Sequence, residues 1–254
     1  MAGDLIYKDG VFVGAEHASQ GLFVYRFVRT IGHQPQLLAG HLAQLDKAAD
    51  AIFARRCDID EASCEAIIAS LLRRNCCSER FSHIVMIRMF ANGSTEILFH
   101  DTSLYDGIAL RALQPKAVVV TAYDSLAYHR SSATLATTEL HRAYAARCGA
   151  DVAIALNEAG ELLSIDGAAP SIVCGRKIIF SPQTVDEPEY DAMMRIATEQ
   201  NRPMECRAIR ADELLRADEL FYIDHRGVTA VALYEGHRYA DIVVNRLACD
   251  MASR

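Results

Sequence analysis

Four kinds of side chain in this chain could do chemistry. His41 and His129 carry imidazoles, which exchange protons near neutral pH. Arg26, Arg29, Arg130, Arg195 and Arg226 carry planar guanidinium forks, which grip a carboxylate with two parallel hydrogen bonds. Asp166 and Asp224 are carboxylates that can hold a cation or move a proton, and His225 follows the second of them. The fourth kind is the thiol, at eight cysteines. Such a set suits acid–base work on a small anionic metabolite. His129, Arg130, Asp166 and Asp224 are the catalytic candidates, and Arg26, Arg29, His41, Met193, Met194, Arg195, His225 and Arg226 are the substrate-binding ones. Most have an ordinary structural reading beside them. Arg26 and Arg29 can be solvated or ion-paired strand residues, and His41 a satisfied histidine at a helix start. Arg195 can pair with Glu199 four residues on, Met193 and Met194 can be core, and Asp224 to Gly227 can be a polar turn.

Composition narrows the partners. A formal charge of −7 disfavours nucleic acid and anionic membranes, because an acidic protein offers them no positive surface. The opening MAGDLIYKDG has no basic segment followed by an apolar run, so no signal peptide is expected, and no apolar stretch is long enough to cross a bilayer. The cysteines form no CxxC pair and no metal-ligand spacing with histidine, so no metal is expected. They read as reduced cytoplasmic thiols, mostly core, with Cys76-Cys77 the one pair suited to redox chemistry. With 51% hydrophobic residues over 254 positions, the chain can bury one large core or two packed lobes.

The elements that must position these residues can be read in order. Asp9-Gly10 joins two short strands as a hairpin, and Gly21 to Arg29 is a third strand. Leu38, Leu42, Leu45, Ala49 and Ile52 form one stripe of a helix over 37–56, and Asp60 or Glu61 caps a second helix through Arg74. Asn92-Gly93 joins strands over 81–91 and 95–100. Strands over 108–113 and 117–122 lead to a small and polar loop over 123–132, the expected boundary between an N-terminal lobe (1–122) and a C-terminal lobe (123–254) with a cleft between them. Then come a helix ending near Gly149, a strand, the turn Asn157 to Gly160, and a closing strand into Ser181-Pro182. A helix over 192–201, a strand over 205–209, a short helix over 211–216, strands over 219–224 and 228–234, and a helix from Asp241 complete the chain. Mixed strands and helices with hairpin turns predict an α+β architecture.

The order of these parts from His129 to Pro182 resembles the core of the class IV aminotransferase family, which includes branched-chain and D-amino acid aminotransferases and aminodeoxychorismate lyase. GHLAQLDKAA is similar to the family's His-Leu-x-Arg-Leu helix, AMMRIATEQ to its Gly-Ile-x-Arg helix start, and LLRADELFYIDHRGVTAV to its Ala-Asp-Glu strand and following loop. The resemblance covers nearly the whole chain from Phe23. It implies the two-lobed fold of D-amino acid aminotransferase-like proteins, a homodimer, and a cleft where the polar candidates above would converge.

It also implies a lysine that forms a Schiff base with pyridoxal phosphate, and here the chain departs from the pattern. AYHRSS places Arg130 at the lysine, and counting back from Gly149 places Ser131 there. A guanidinium with a pKa above about 12 does not act as that amine, and serine has no nitrogen. Lys8, Lys47, Lys116 and Lys177 all lie elsewhere. The glutamate that partners the ring nitrogen falls on Ile165; Asp166 is adjacent, but alternation along a strand would turn it to the wrong face. The phosphate-binding arginine is Gln44, and the phosphate hydroxyl aligns near Asp224. The helix amides around Met193 and Met194 follow Asp186, Glu187, Glu189 and Asp191, which would repel an anion. The sequence therefore predicts a family member without pyridoxal phosphate that acts on a small anionic metabolite. The alternatives are a non-catalytic ligand-binding or partner subunit, and a pyridoxal phosphate aminotransferase or lyase whose lysine lies at Lys116 or Lys177.

Overall fold

The computed structural model describes residues 5–103, 105, 107–122 and 129–252. They form two compact units: one within Met1–Gly107 and His129–Ala133, the other within Ile108–Tyr128 and Thr134–Arg254. The division at Gly107 lies earlier than the boundary read from sequence. The strand Lys116–Thr121 belongs to the second unit because it pairs in parallel with Val152–Leu156. Most of the loop expected over 123–132 lies outside the described residues.

The first unit contains β1 (Leu5–Lys8), β2 (Val11–Gly14), β3 (Phe23–Ile31), β4 (Gln34–Pro35), α1 (Leu38–Phe53), α2 (Glu61–Arg74), β5 (Ser82–Phe90) and β6 (Thr95–Ser103). Its antiparallel sheet runs β2-β1-β6-β5-β3-β4. Leu45, Ala49, Ile68, Leu71 and Leu72 of the two helices bury against Val24, Val28, Val85, Ile87 and Ile97 of the sheet. Each large aliphatic side chain buried this way contributes about 1.5–3 kcal/mol. Asp60 caps α2 by accepting the Ser63 N–H at 3.0 Å, as its position before the helix predicts.

The second unit contains β7 (Lys116–Thr121), most of α3 (Ser132–Arg147), β8 (Val152–Leu156), β9 (Leu162–Ile165), β10 (Pro170–Cys174), β11 (Lys177–Phe180), α4 (Pro188–Glu199), β12 (Met204–Cys206), β13 (Glu219–Asp224), β14 (Gly227–Ala230), β15 (Leu233–Tyr234), β16 (His237–Arg238) and α5 (Ile242–Ala252). Two five-stranded sheets form, β16-β15-β7-β8-β9 and β12-β11-β10-β13-β14. Side chains alternate across β13. Leu220 and Tyr222 enter the core that also takes in Ile154 and Ile165, while Phe221 and Ile223 pack with Tyr190, Met193 and Ile196 of α4 and Val244 and Leu247 of α5. The buried Glu219 carboxylate accepts the N–H groups of Val243 and Val244 at 2.7 and 2.9 Å, so β13 caps α5.

Three sequence expectations are corrected here. The segment 108–113 makes only a lone parallel bridge, Leu110 to Val228, because the chain curls where Leu113 N–H bonds Arg111 C=O and then meets Pro115, which has no N–H to donate. The strand expected over 228–234 is two strands in different sheets, since Val231 N–H bonds Leu220 and Ala232 N–H bonds Pro115, handing the chain from one sheet to the other. Helix α4 starts at Pro188 rather than Ala192, because proline suits the first helical turn, where no N–H is needed.

The Tyr190 hydroxyl, fully buried, donates to Ala169 C=O and accepts the Ile223 N–H at 2.9 Å. Replacing Tyr190 by Phe leaves both backbone groups without that partner. The expected cost is about 1–3 kcal/mol, read as a lowered urea midpoint with an unchanged slope.

Candidate functional site

Asp224 closes β13 on the same face as Tyr222 and Leu220, two and four residues back. Asp166 follows β9 in a left-handed conformation (φ 52°), with Gly167 next (φ 79°), and Ala168 bridges back to Ile165. Because Asp166 sits in this turn rather than in the strand, alternation does not apply to it. Ile165 enters the core, while the Asp166 side chain, 6% exposed, meets two arginines. Arg142 on α3 donates from Nε to Asp166 Oδ1 at 2.5 Å and from Nη2 to Oδ2 at 3.1 Å, and its Nη1 reaches Glu139 at 2.5 Å. Arg226 donates from Nη2 to Asp166 Oδ2 at 2.7 Å and from Nε to Asp224 Oδ2 at 2.9 Å; its Nη2 also bonds Asp224. One guanidinium thus joins the two aspartates.

The electrostatics follow from this geometry. Burial alone would raise the Asp224 pKa, but Arg226 and His225 outweigh it and hold the carboxyl far below the usual carboxylate range. Burial likewise opposes the charge on Arg226 and Arg142, and the aspartates more than offset it, so both stay cationic. Asp224 is therefore a fixed anion at neutral pH, not a proton donor.

Beside the cluster lies a cavity of about 360 Å³ whose wall includes Arg111, Arg142, Asp151, Asp166, Tyr222 and Arg226, all in the second unit. Arg111 is placed by its backbone, with its N–H on Val228 C=O at 2.8 Å and the Val228 N–H on Ala109 C=O at 2.9 Å. Its Nη1 donates to the buried Thr229 hydroxyl at 3.1 Å. Gly227 makes this approach possible: at φ 122°, a Cβ there would stand 2.6 Å from the Ala109 carbonyl oxygen and 3.3 Å from Arg111 Cγ. Replacing Gly227 by Ala is expected to cost more than about 1 kcal/mol, since the φ is strained for an L side chain and the clash is with backbone. Thermal unfolding checks it.

Of the residues predicted from sequence, the structure brings together Asp166, Asp224 and Arg226, with His225 adding its field. Arg26, Arg29, His41, His129 and Arg130 belong to the first unit. Arg26 Nη2 and His41 Nδ1 are 3.4 Å apart, and Arg29 donates to Ser103 Oγ and Tyr105 C=O at 2.9 and 2.6 Å; all three residues are buried, so neither arginine is a solvated strand residue. Arg130 C=O accepts the Tyr25 N–H at 3.0 Å, and Ser131 bridges Val24. Met193 is fully buried in the α4–α5 core, and Met194, partly buried, packs against it. Arg195 is exposed and acts on Asp191, one turn back. Sequence reasoning missed Arg111 and Arg142; the only local signal was the spacing of Glu139 and Arg142 on one helical face.

None of the four lysines stands at the start of α3. Lys8 Nζ bonds His17 C=O at 2.9 Å, Lys177 Nζ bonds Glu205 at 3.0 Å, Lys116 opens β7, and Lys47 lies on α1. At the start of α4, Glu187 stands at the N-cap position, Glu189 is buried, and burial together with Asp186 and Glu187 raises the Asp191 pKa. Among the described residues no cluster of three possible metal ligands occurs, all eight cysteines are free, and no helix is long and apolar enough to cross a membrane.

Residues 24–232 match the family described as amino-transferase class IV. No curated protein matches the chain. The fold is similar to that of branched-chain aminotransferase from the archaeon Thermoproteus uzoniensis (TM-score 0.81, 17% identity, covering 99% of this chain and 94% of that one). It is also similar to the fold IV-transaminase CpuTA1 from Curtobacterium pusillum (TM-score 0.77, 19% identity, 96% and 92%). A third likeness is to the T.th. branched-chain amino acid aminotransferase complexed with N-(5'-phosphopyridoxyl)-L-glutamate (TM-score 0.77, 19% identity, 99% and 93%). At such identities the likeness shows the α+β fold.

Proposed function

This chain belongs to the class IV aminotransferase family, and we propose that it uses the family's fold without a lysine-linked coenzyme, to bind a small anionic metabolite in the cavity of the second unit. The T.th. relative holds a phosphopyridoxyl ligand, so pyridoxal phosphate is the group to test against the residues present. They do not fit it. The observation that carries the reading is Arg226. By the family resemblance, the ring-nitrogen partner falls at Ile165 or Asp166 and the phosphate hydroxyl near Asp224. Here one protein guanidinium ties Asp166 to Asp224, so a cation of the chain itself bridges the two ends of the cradle. Arg130 or Ser131 at the position where the resemblance implies the lysine, and the acidic start of α4, support the same reading.

When bound, the coenzyme supplies an electron sink for amino-acid chemistry; no step through it is drawn for this chain. Asp166 and Asp224 are positioning residues, each committed to arginine. That commitment favours a ligand-binding member over an enzyme that passes protons through these two groups. A homodimer and a cytoplasmic location are proposed with it.

The test is to incubate the purified protein with pyridoxal phosphate, reduce with borohydride and map the peptides by mass. The expected result is no stoichiometric adduct on Lys8, Lys47, Lys116 or Lys177 and no visible coenzyme band. A stoichiometric phosphopyridoxyl group on Lys116 or Lys177, with a band that an amino acid discharges, overturns the proposal.

A further inference from the structure

We infer that the cavity of the second unit takes a small organic monocarboxylate and that Arg111 is the residue that grips it; this rests on the anion-binding reading above. Three arginines and two aspartates, Asp151 and Asp166, stand in the wall. Arg142 is occupied by Asp166 and Glu139, and Arg226 by Asp166 and Asp224. Arg111 differs from both. Among the described residues its guanidinium bonds only the neutral Thr229 hydroxyl, and it has no ion pair. A guanidinium has five N–H donors in a fixed fork, so most of its capacity remains for a ligand.

The site is built rather than incidental. The backbone clamp between Ala109, Arg111 and Val228 fixes the arginine's stem, Gly227 leaves room for it, and Thr229 orients its head. A fork held this way loses little side-chain freedom on binding, which is how preorganisation strengthens a contact. Leu113, Pro115 and Val152 supply apolar wall, and about 360 Å³ falls at the small end of the range for ligand pockets. With Asp151 and Asp166 facing inward and Asp224 behind Arg226, the wall suits one negative charge on a compact apolar body. A dianion such as phosphate would meet those carboxylates.

The probe is benzoate, with its neutral isostere benzamide and inorganic phosphate as controls, titrated calorimetrically into the full chain. Benzoate is expected to bind the wild type, with benzamide and phosphate about tenfold or more weaker. Arg111→Met is expected to weaken benzoate about 10- to 100-fold, the range for losing a charge-assisted pair, with an unchanged melting curve. Thr229→Val, which keeps the charge and removes the orienting hydroxyl, is expected to weaken it a few-fold and serves if Arg111→Met does not fold. The inference is overturned if benzoate does not bind, if benzamide binds as well, if a folded Arg111→Met variant binds like wild type, or if Arg111→Met does not fold and Thr229→Val binds like wild type. The coenzyme-labelling result is independent of these titrations: a lysine adduct sinks the broader proposal, whereas a failed benzoate titration sinks only the assignment of Arg111.

Discussion

Asp224→Asn is expected to lower the unfolding free energy at pH 7 by about 3–5 kcal/mol, the range for breaking a buried ion pair from one side. The asparagine keeps the shape but leaves the Arg226 charge without its nearest anion. Against a total stability of about 5–15 kcal/mol, that loss is large. The pH dependence gives the signature. The folded pKa of Asp224 lies far below the unfolded value of about 3.9, because Arg226 and His225 overcome the penalty of burial. Where the unfolded chain binds more protons than the folded one, stability rises with pH. The contribution of Asp224 is therefore fully present above its unfolded pKa and is lost as pH falls through and below it. Urea midpoints of the wild type should drop steeply from about pH 5 downward, and those of Asp224→Asn should fall less steeply across the same window. Parallel slopes would show that the depression of this carboxyl does not exist.

Asp166→Asn is expected to destabilise by about 3 kcal/mol, the low end of the same range. It strips the shared anion from Arg142 and Arg226 together, but those side chains are 35% and 27% exposed and recover some hydration. The double variant Asp166→Asn with Arg142→Met tests the cause. Replacing an ion pair by an apolar group is often close to neutral, so the double variant should recover part of the loss, and the interaction energy of the cycle should be well away from zero. Additive effects would mean that the two residues do not depend on each other. Each aspartate variant leaves Arg226 with one anion fewer, so each should change the benzoate affinity of the cavity, although neither touches Arg111 directly.

Much of the fold is legible in the sequence because its causes are local. Asp9-Gly10 and Asn92-Gly93 set hairpins through backbone conformations that few residues accept, the stripe from Leu38 to Ile52 sets α1 by its period, and β13 spans the segment 219–224 expected for it. The same local reading puts Arg130 or Ser131 at the position where the family resemblance implies a lysine. The site is less legible because its bonds join distant positions: Arg142 to Asp166 across 24 residues, Arg226 to Asp166 across 60, and Arg111 to Thr229 across 118. Alternation turns Asp166 away from the site only while the chain stays in a strand; a left-handed turn after Ile165 releases it and aims it at the arginines. The residues of the sequence by themselves determined which groups could ionise and which elements would carry them. Which cation met which anion, and which arginine kept its fork for a ligand, was decided by the packing of sheets and helix, because ion pairs form between whatever charges the tertiary fold brings within a few ångströms.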